Sequence, residues 1–364
     1  MNPLQRLWQE HGQAVWLDFI ERDLLTGGEL ARLVEDDGVR GVTSNPSIFE
    51  KAIEGGGPYD TAVADLLAAN PDLTTVRLYE ALAIDDIRGA ADALRPVWDG
   101  SDGSDGFVSL EVSPHLARDT EGTVAEAQRL WRAVDRPNLM IKVPAMTEGI
   151  PAIEGLIGVG INVNATLMFS LADYEAVATA YLRGLETNPN PSAVASVASF
   201  FVSRVDTRVD AQLEAIGTPE ALVLRGRTAI ANAKLAYRRF GELFGGETFA
   251  PLSSRGAKAQ RPLWASTSTK NPDYRDVIYV EELIGPDTVN TLPVVTLEAF
   301  RDHGELRPSL LEDVAGADRA LAELAAVGID IDAITTELQI EGVAAFAKSF
   351  DQLLGALDEA RVSM

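Results

Sequence analysis

The sequence predicts an α/β protein, a single (β/α)8 TIM barrel with additional helices at its N-terminus (1–12) and C-terminus (about 308–364). Three observations predict it. Short apolar runs of strand character alternate with helical periodicity eight times along the chain. No G-x-G-x-x-G follows the first strand, as a doubly wound dinucleotide-binding sheet would require. No internal repeat, low-complexity segment or break in composition marks a second domain, so residues 1–364 are expected to form one barrel domain, a length that fits a barrel with extra helices.

The elements follow in order. Residues 3–12 read as an amphipathic helix with Leu4, Leu7 and Trp8 on one side. Ala14 to Ile20 form the first strand, apolar apart from Asp18. A helix starting near Thr26 carries Leu30, Leu33 and Val34 and stops at Gly38; strand two, Val39 to Thr43, ends in Ser44-Asn45-Pro46-Ser47. Helices over 59–69 and 74–95 lead to Asp99–Gly106, whose alternating acids suggest a calcium loop. The bidentate Glu expected at the twelfth position is missing, so this Gly/Ser/Asp cluster is read as a flexible turn. Strand three, Phe107 to Val112, again holds one acid, Glu111, and strand four, Asn138 to Pro144, holds one lysine, Lys142. Strand five covers 161–167, strand six 193–201, strand seven 262–266 and strand eight 287–292, closed by Pro293. Helices lie between them at 121–134, 148–157, 171–185, 206–215 and 219–244.

Composition narrows the function. The net charge of −24 argues against nucleic acid or an anionic membrane as partner. The chain has no cysteine, which removes disulfides, thiolate nucleophiles and cysteine metal sites; His11, His115 and His303 lack metal-ligand spacing, so no metal is expected. The N-terminal stretch has no basic region followed by an apolar one, so no signal peptide is expected, and no apolar run is long enough to span a bilayer. A soluble cytoplasmic protein is the expectation.

In such a barrel, polar residues near the C-terminal ends of the strands converge on one mouth. Here they are Asp18, Asn45, Glu111, Lys142, Asn164, Thr166 and Ser199. Each has an ordinary explanation alone: Asp18 or Glu111 as a salt-bridge partner for Lys142, Asn45-Pro46 as a turn, Asn164 and Thr166 satisfying each other in the core. Gathered in one cavity they would cost many kcal/mol of desolvation without structural return, which points to chemistry. A buried lysine amine is partly neutral and able to attack a carbonyl. Two acids beside it complete the inventory of Schiff-base chemistry: nucleophile, proton relay and base.

Four motifs in this order resemble the transaldolases, in particular the longer bacterial forms: Val42-Thr-Ser-Asn-Pro-Ser47, Val108-Ser-Leu-Glu-Val-Ser113, Asn138-Leu-Met-Ile-Lys-Val-Pro-Ala145 and Gly160-Ile-Asn-Val-Asn-Ala-Thr-Leu-Met-Phe-Ser170. The similarity runs from Leu17 to about Pro293. It implies a transferase of the non-oxidative pentose phosphate pathway, without cofactor, that moves a dihydroxyacetone unit from sedoheptulose 7-phosphate or fructose 6-phosphate to an aldose phosphate. Lys142 would form the Schiff base and Asp18 would take the C4 hydroxyl proton. Glu111 with Thr166 would hold the relay water, and Asn45, Asn164 and Ser199 would bind hydroxyls. The family usually holds phosphate with an arginine after strand six, matched by Arg204, and another after strand seven. There this chain reads Ala265-Ser-Thr-Ser-Thr-Lys270, leaving Ser266, Ser268 or Lys270 to substitute. In related short enzymes that release free dihydroxyacetone, the position of Phe201 resembles a tyrosine that helps activate water; phenylalanine has no hydroxyl and favours transfer.

Three other readings compete. A class I aldolase would release its donor product, a pyridoxal-phosphate barrel would absorb in the visible, and a non-catalytic sugar-phosphate-binding barrel would have no use for the acid–lysine–acid set. Small-molecule sugar phosphates are the expected partners. Both a monomer and a homodimer are compatible with the sequence.

Overall fold

The computed structural model describes residues 1–363. Eight strands close into a barrel in chain order: β1 (Gln13–Leu17), β2 (Gly41–Val42), β3 (Phe107–Glu111), β4 (Leu139–Pro144), β5 (Val163–Met168), β6 (Ser196–Phe201), β7 (Arg261–Ala265) and β8 (Thr288–Leu292). Every pair is parallel, including the closing pair β1–β8. The strands are buried along almost their whole length because helices cover the outside and side chains fill the inside, which explains their nearly continuous apolar runs. Among the described residues no helix is long and apolar enough to cross a membrane.

The end of the barrel at the N-terminal ends of the strands is sealed by a polar plug. Asp105 is 1 % exposed and accepts hydrogen bonds from Trp16 Nε1 (2.9 Å), Arg40 Nε (2.8 Å) and Arg261 Nη2 (3.3 Å). Of the stretch 99–106, Asp99 and Gly100 end the helix Thr75–Gly100 and only the residues after them form the expected turn, which is not loose: its last acid is a buried anchor between two arginines. Trp16 reaches the barrel interior because Gly41 stands opposite, where a Cβ would lie 2.5 Å from the indole ring.

Several elements differ from the sequence expectation. Thr26 ends a short helix (Arg22–Thr26) and the next one (Glu29–Asp36) starts after Gly28, whose φ of 73° suits glycine. Strand two is shorter than 39–43, since Arg40 and Thr43 give their N–H groups to Val15 and Leu17 outside the regular ladder. Pro46 opens a helix (Pro46–Glu54) that the turn reading of Asn45-Pro46 hid; Asn45 Oδ1 accepts from Ile48 N at 3.0 Å, and proline fits the first turn of a helix because no N–H is needed there. A helix also follows β8 (Val294–His303). At the C-terminus the long helix Ile331–Ser363 packs against the helices Pro46–Glu54, Thr75–Gly100 and Ser203–Ile216 and against β5, so it lies across the mouth of the barrel.

Candidate active site

Register aligns the site. Lys142 on β4 pairs with Glu111 on β3 and with Asn164 on β5, and Pro144 pairs with Thr166, so all these side chains project to the same interior face. Lys142 is 4 % exposed. Its Nζ donates to Ser44 O at 3.2 Å and stands 3.8 Å from Glu111 Oε2. Neither Glu111 oxygen has a hydrogen-bond partner in the protein, and the same is true of Thr166 Oγ1. Burial pushes the Glu111 carboxyl up to about 7; Lys142 opposes the shift and Asp18 adds to it. Such a group changes protonation near neutrality and suits proton relay.

Asp18 follows directly on β1 and is fixed at the mouth by its N–H to Leu292 O (2.8 Å). Thr43 Oγ1 lies 2.6 Å from Asp18 Oδ1 and 2.7 Å from Thr291 Oγ1, linking the ends of β1, β2 and β8. Burial raises the Asp18 carboxyl above its ordinary range, against the pull of Lys142, Thr43 and Arg204.

Asn164 and Thr166 do not satisfy each other. Asn164 Nδ2 instead donates to Ser109 Oγ (3.0 Å), and its Oδ1 accepts from Ser199 Oγ (2.7 Å). A polar girdle thus runs from β3 through β5 to β6, with Asn164 fully buried at its centre. Thr166 is left as a free buried hydroxyl beside Pro144. The Oδ1 of Asn45 is committed to helix capping, which leaves its amide nitrogen for a ligand.

A cationic rim borders this centre. Arg204, in the first turn of the helix after β6, stacks over Phe201 with its guanidinium carbon 5.4 Å from the ring centroid. Phe201 also packs on Phe169 (5.0 Å between centroids). After β7, Lys270 Nζ donates to Ser268 Oγ at 2.5 Å, while Ser266 Oγ sits 3.0 Å from Ser203 Oγ. Partial burial lowers the Lys270 ammonium, and the like charges of Arg204 and Lys51 push it the same way. Lys270 is therefore electrostatically within reach of Arg204, and Lys51 joins them from the helix after β2. This positive patch stands in a chain of net charge −24.

A family model described as Transaldolase/Fructose-6-phosphate aldolase matches residues 15–357. The chain belongs to this family. Among similar curated proteins, the "Transaldolase" of Thiobacillus denitrificans is 52 % identical over 350 residues, 95 % of this chain and 97 % of that protein. The "Transaldolase" of Frankia alni is 50 % identical over 361 residues (98 % and 96 %), and that of Mycolicibacterium smegmatis 48 % over 370 (99 % of each). The transaldolase/fructose-6-phosphate aldolase match reaches residue 357 and so includes most of the C-terminal helix.

Several residues of the candidate site are not singled out by the sequence. Ser109 lies two positions before Glu111, on the same interior face, and alternation along β3 could have flagged it. Thr43 and Ser44 were visible only as part of a motif. Phe346, whose ring centroid is 6.0 Å from Lys142 Nζ, comes from a helix 204 positions along the chain from that lysine, and no local signal announces it.

Proposed function

We propose that this chain is a transaldolase that transfers a dihydroxyacetone unit through a Schiff base on Lys142. The observation that carries the reading is the buried pair of Lys142 Nζ and Glu111, 3.8 Å apart, in which the carboxylate has no other protein partner. A buried ion pair this poorly satisfied is a weak stabiliser, and its retention is explained by chemistry.

The steps follow from the groups. The Lys142 amine attacks the C2 carbonyl of the ketose phosphate, and Glu111 with Thr166 passes protons through a water so that the carbinolamine loses hydroxide as water. The resulting iminium is an electron sink. Asp18, ionised, takes the C4 hydroxyl proton as the C3–C4 bond breaks; the aldose phosphate leaves, and the bonding pair becomes an enamine on Lys142. An incoming aldose phosphate accepts that pair at its carbonyl carbon, Asp18 returns the proton to the new alkoxide, and hydrolysis frees the lysine. Ser199, Asn164 and the Asn45 amide bind the hydroxyls of the three-carbon unit. Arg204 and Lys270, with Ser266 and Ser268 beside them, receive phosphate. The donors are sedoheptulose 7-phosphate or fructose 6-phosphate, and the setting is cytoplasmic carbohydrate metabolism in the non-oxidative pentose phosphate pathway.

Phe201 supports transfer over release, since it supplies no hydroxyl where an attacking water would need help. Borohydride reduction in the presence of fructose 6-phosphate, followed by peptide mass spectrometry, tests the reading. A dihydroxyacetone-sized adduct on Lys142 is the expected result, and an adduct on a different lysine overturns the site assignment. Free dihydroxyacetone forming faster than transferred product would overturn the transfer assignment in favour of the aldolase.

A further inference from the structure

The C-terminal helix does more than cover the barrel. On its inner face Gln339 Nε2 donates two hydrogen bonds, to Ala145 O (3.1 Å) and to Leu167 O (3.2 Å). These carbonyls lie one residue past Pro144 and one past Thr166, the two positions paired in the β4–β5 register. The two strand ends are already joined there by Ala145 N donating to Thr166 O at 2.8 Å. Leu167 is fully buried with φ of 60°, an uncommon conformation for a bulky residue, and the β5–β6 register shifts around it. A left-handed leucine is strained and persists only when its surroundings hold it.

One turn further along the same face, Gly342 lets the helix seat on this corner. A Cβ there would lie 2.9 Å from Leu167 Cδ2 and 3.8 Å from Arg204 Nη1. One turn beyond that, Phe346 presents its ring to Lys142. The helix is anchored elsewhere by contacts that do not involve Gln339. Ser349 meets Ser47, Asp351 meets His115, Glu337 and Glu341 meet Arg208, and Asp358 meets Thr75. The docking of the helix thus does not rest on Gln339 alone, and its two bonds act on the β4 and β5 ends.

We propose that Gln339 is a positioning residue for the Schiff-base site: by clamping the carbonyls of Ala145 and Leu167 it holds the left-handed corner that aims Thr166 Oγ1 toward Glu111 and Lys142. The proposal rests on Lys142 being the nucleophile. Because it acts on the relay hydroxyl and leaves the groups at the phosphate rim in place, it concerns turnover and not substrate affinity.

The test compares Gln339→Met and Gln339→Glu with the parent enzyme. Methionine keeps the length and loses both donors; glutamate keeps the shape and turns a carboxylate toward two carbonyl oxygens. Both variants are expected to lose roughly 10- to 100-fold in kcat with KM for fructose 6-phosphate within about twofold, the split that marks a misplaced catalytic group. Single-turnover borohydride trapping on Lys142 should slow by a similar factor, while the melting temperature shifts by only a few degrees. Unchanged kcat in Gln339→Met, with the parent still trapped on Lys142, overturns the proposal alone. Loss of kcat in step with loss of folded protein also overturns it, since the role is then structural. A parent adduct on another lysine overturns both this proposal and the reading beneath it.

Discussion

Lys142 Nζ and Glu111 Oε2 are 3.8 Å apart at the centre of the barrel, yet the lysine gives its hydrogen bond to the Ser44 carbonyl. The two are held by strand register, with Glu111 opposite Lys142, and not by a mutual bond. The carboxylate is kept close enough to exchange protons with whatever forms on the amine and remains unquenched.

This geometry sets a pH signature. The Glu111 carboxyl moves from 4.5 to about 7 on folding. Below pH 4.5 both the folded and unfolded chains hold the proton, and above pH 7 neither does. The folded barrel therefore binds the extra proton between these values, and stability falls as pH rises through them. At 1.36 kcal/mol per unit, the buried carboxylate costs about 3 kcal/mol above pH 7. Glu111→Gln should raise the urea midpoint at pH 8, with the margin fading by pH 5, while lowering kcat about 10²- to 10⁴-fold. Equal margins at both pH values would contradict the burial of an ionisable Glu111.

Asp18 separates two chemical steps. Asp18→Asn leaves Lys142 and Glu111 in place but removes the carboxylate proposed as the base for the C4 hydroxyl. The variant should form the Schiff base and fail to cleave it, so borohydride would trap the whole six-carbon ketose on Lys142. Mass spectrometry distinguishes that adduct from the three-carbon one, and a three-carbon adduct in the variant would assign the base elsewhere. Because burial raises the Asp18 carboxyl, turnover of the parent should fall on the acid side as this base takes up a proton.

Lys270, proposed as a phosphate ligand, would offer a point charge and not a planar fork. Lys270→Met should raise KM for a phosphorylated acceptor roughly tenfold, the loss of one charge-assisted hydrogen bond. Unphosphorylated glyceraldehyde should be used unchanged. A parallel loss for both acceptors would remove Lys270 from the phosphate site. Arg204→Lys tests the other side of the rim and should raise KM for the same phosphorylated acceptor.

The plug at the far end predicts stability without catalysis. Asp105→Ala leaves Arg40 and Arg261 facing each other in a buried setting, a change worth about 3–5 kcal/mol. Gly41→Ala drives a methyl group into the Trp16 ring and should cost about 1–3 kcal/mol. Denaturant titration should show both losses, with kcat near the parent value wherever the protein remains folded. A fall in kcat in the folded fraction would tie the plug to the mouth.

The alternation of apolar strands and amphipathic helices determined the barrel, because each strand, buried on both faces, writes its apolar run locally. Polar residues breaking those runs marked most of the candidate site: Asp18, Glu111, Lys142, Asn164, Thr166 and Ser199 stand out for the same reason, since burial of a polar group in a strand needs a cause. Only the tertiary structure decided who pairs with whom. Asn164 bonds Ser109 and Ser199 instead of Thr166, because barrel closure and register bring β3 and β6 to its two sides. Asp105 is an anchor and not a loop acid because Arg40, just before β2, and Arg261 of β7 converge on it. Phe346 reaches Lys142, and Gln339 the carbonyls of Ala145 and Leu167, from 172 to 204 positions along the chain, on a helix whose buried residues read as ordinary packing until the barrel mouth beneath it exists. Local periodicity carries information about burial, whereas contacts between distant elements depend on the closed sheet that no single segment contains.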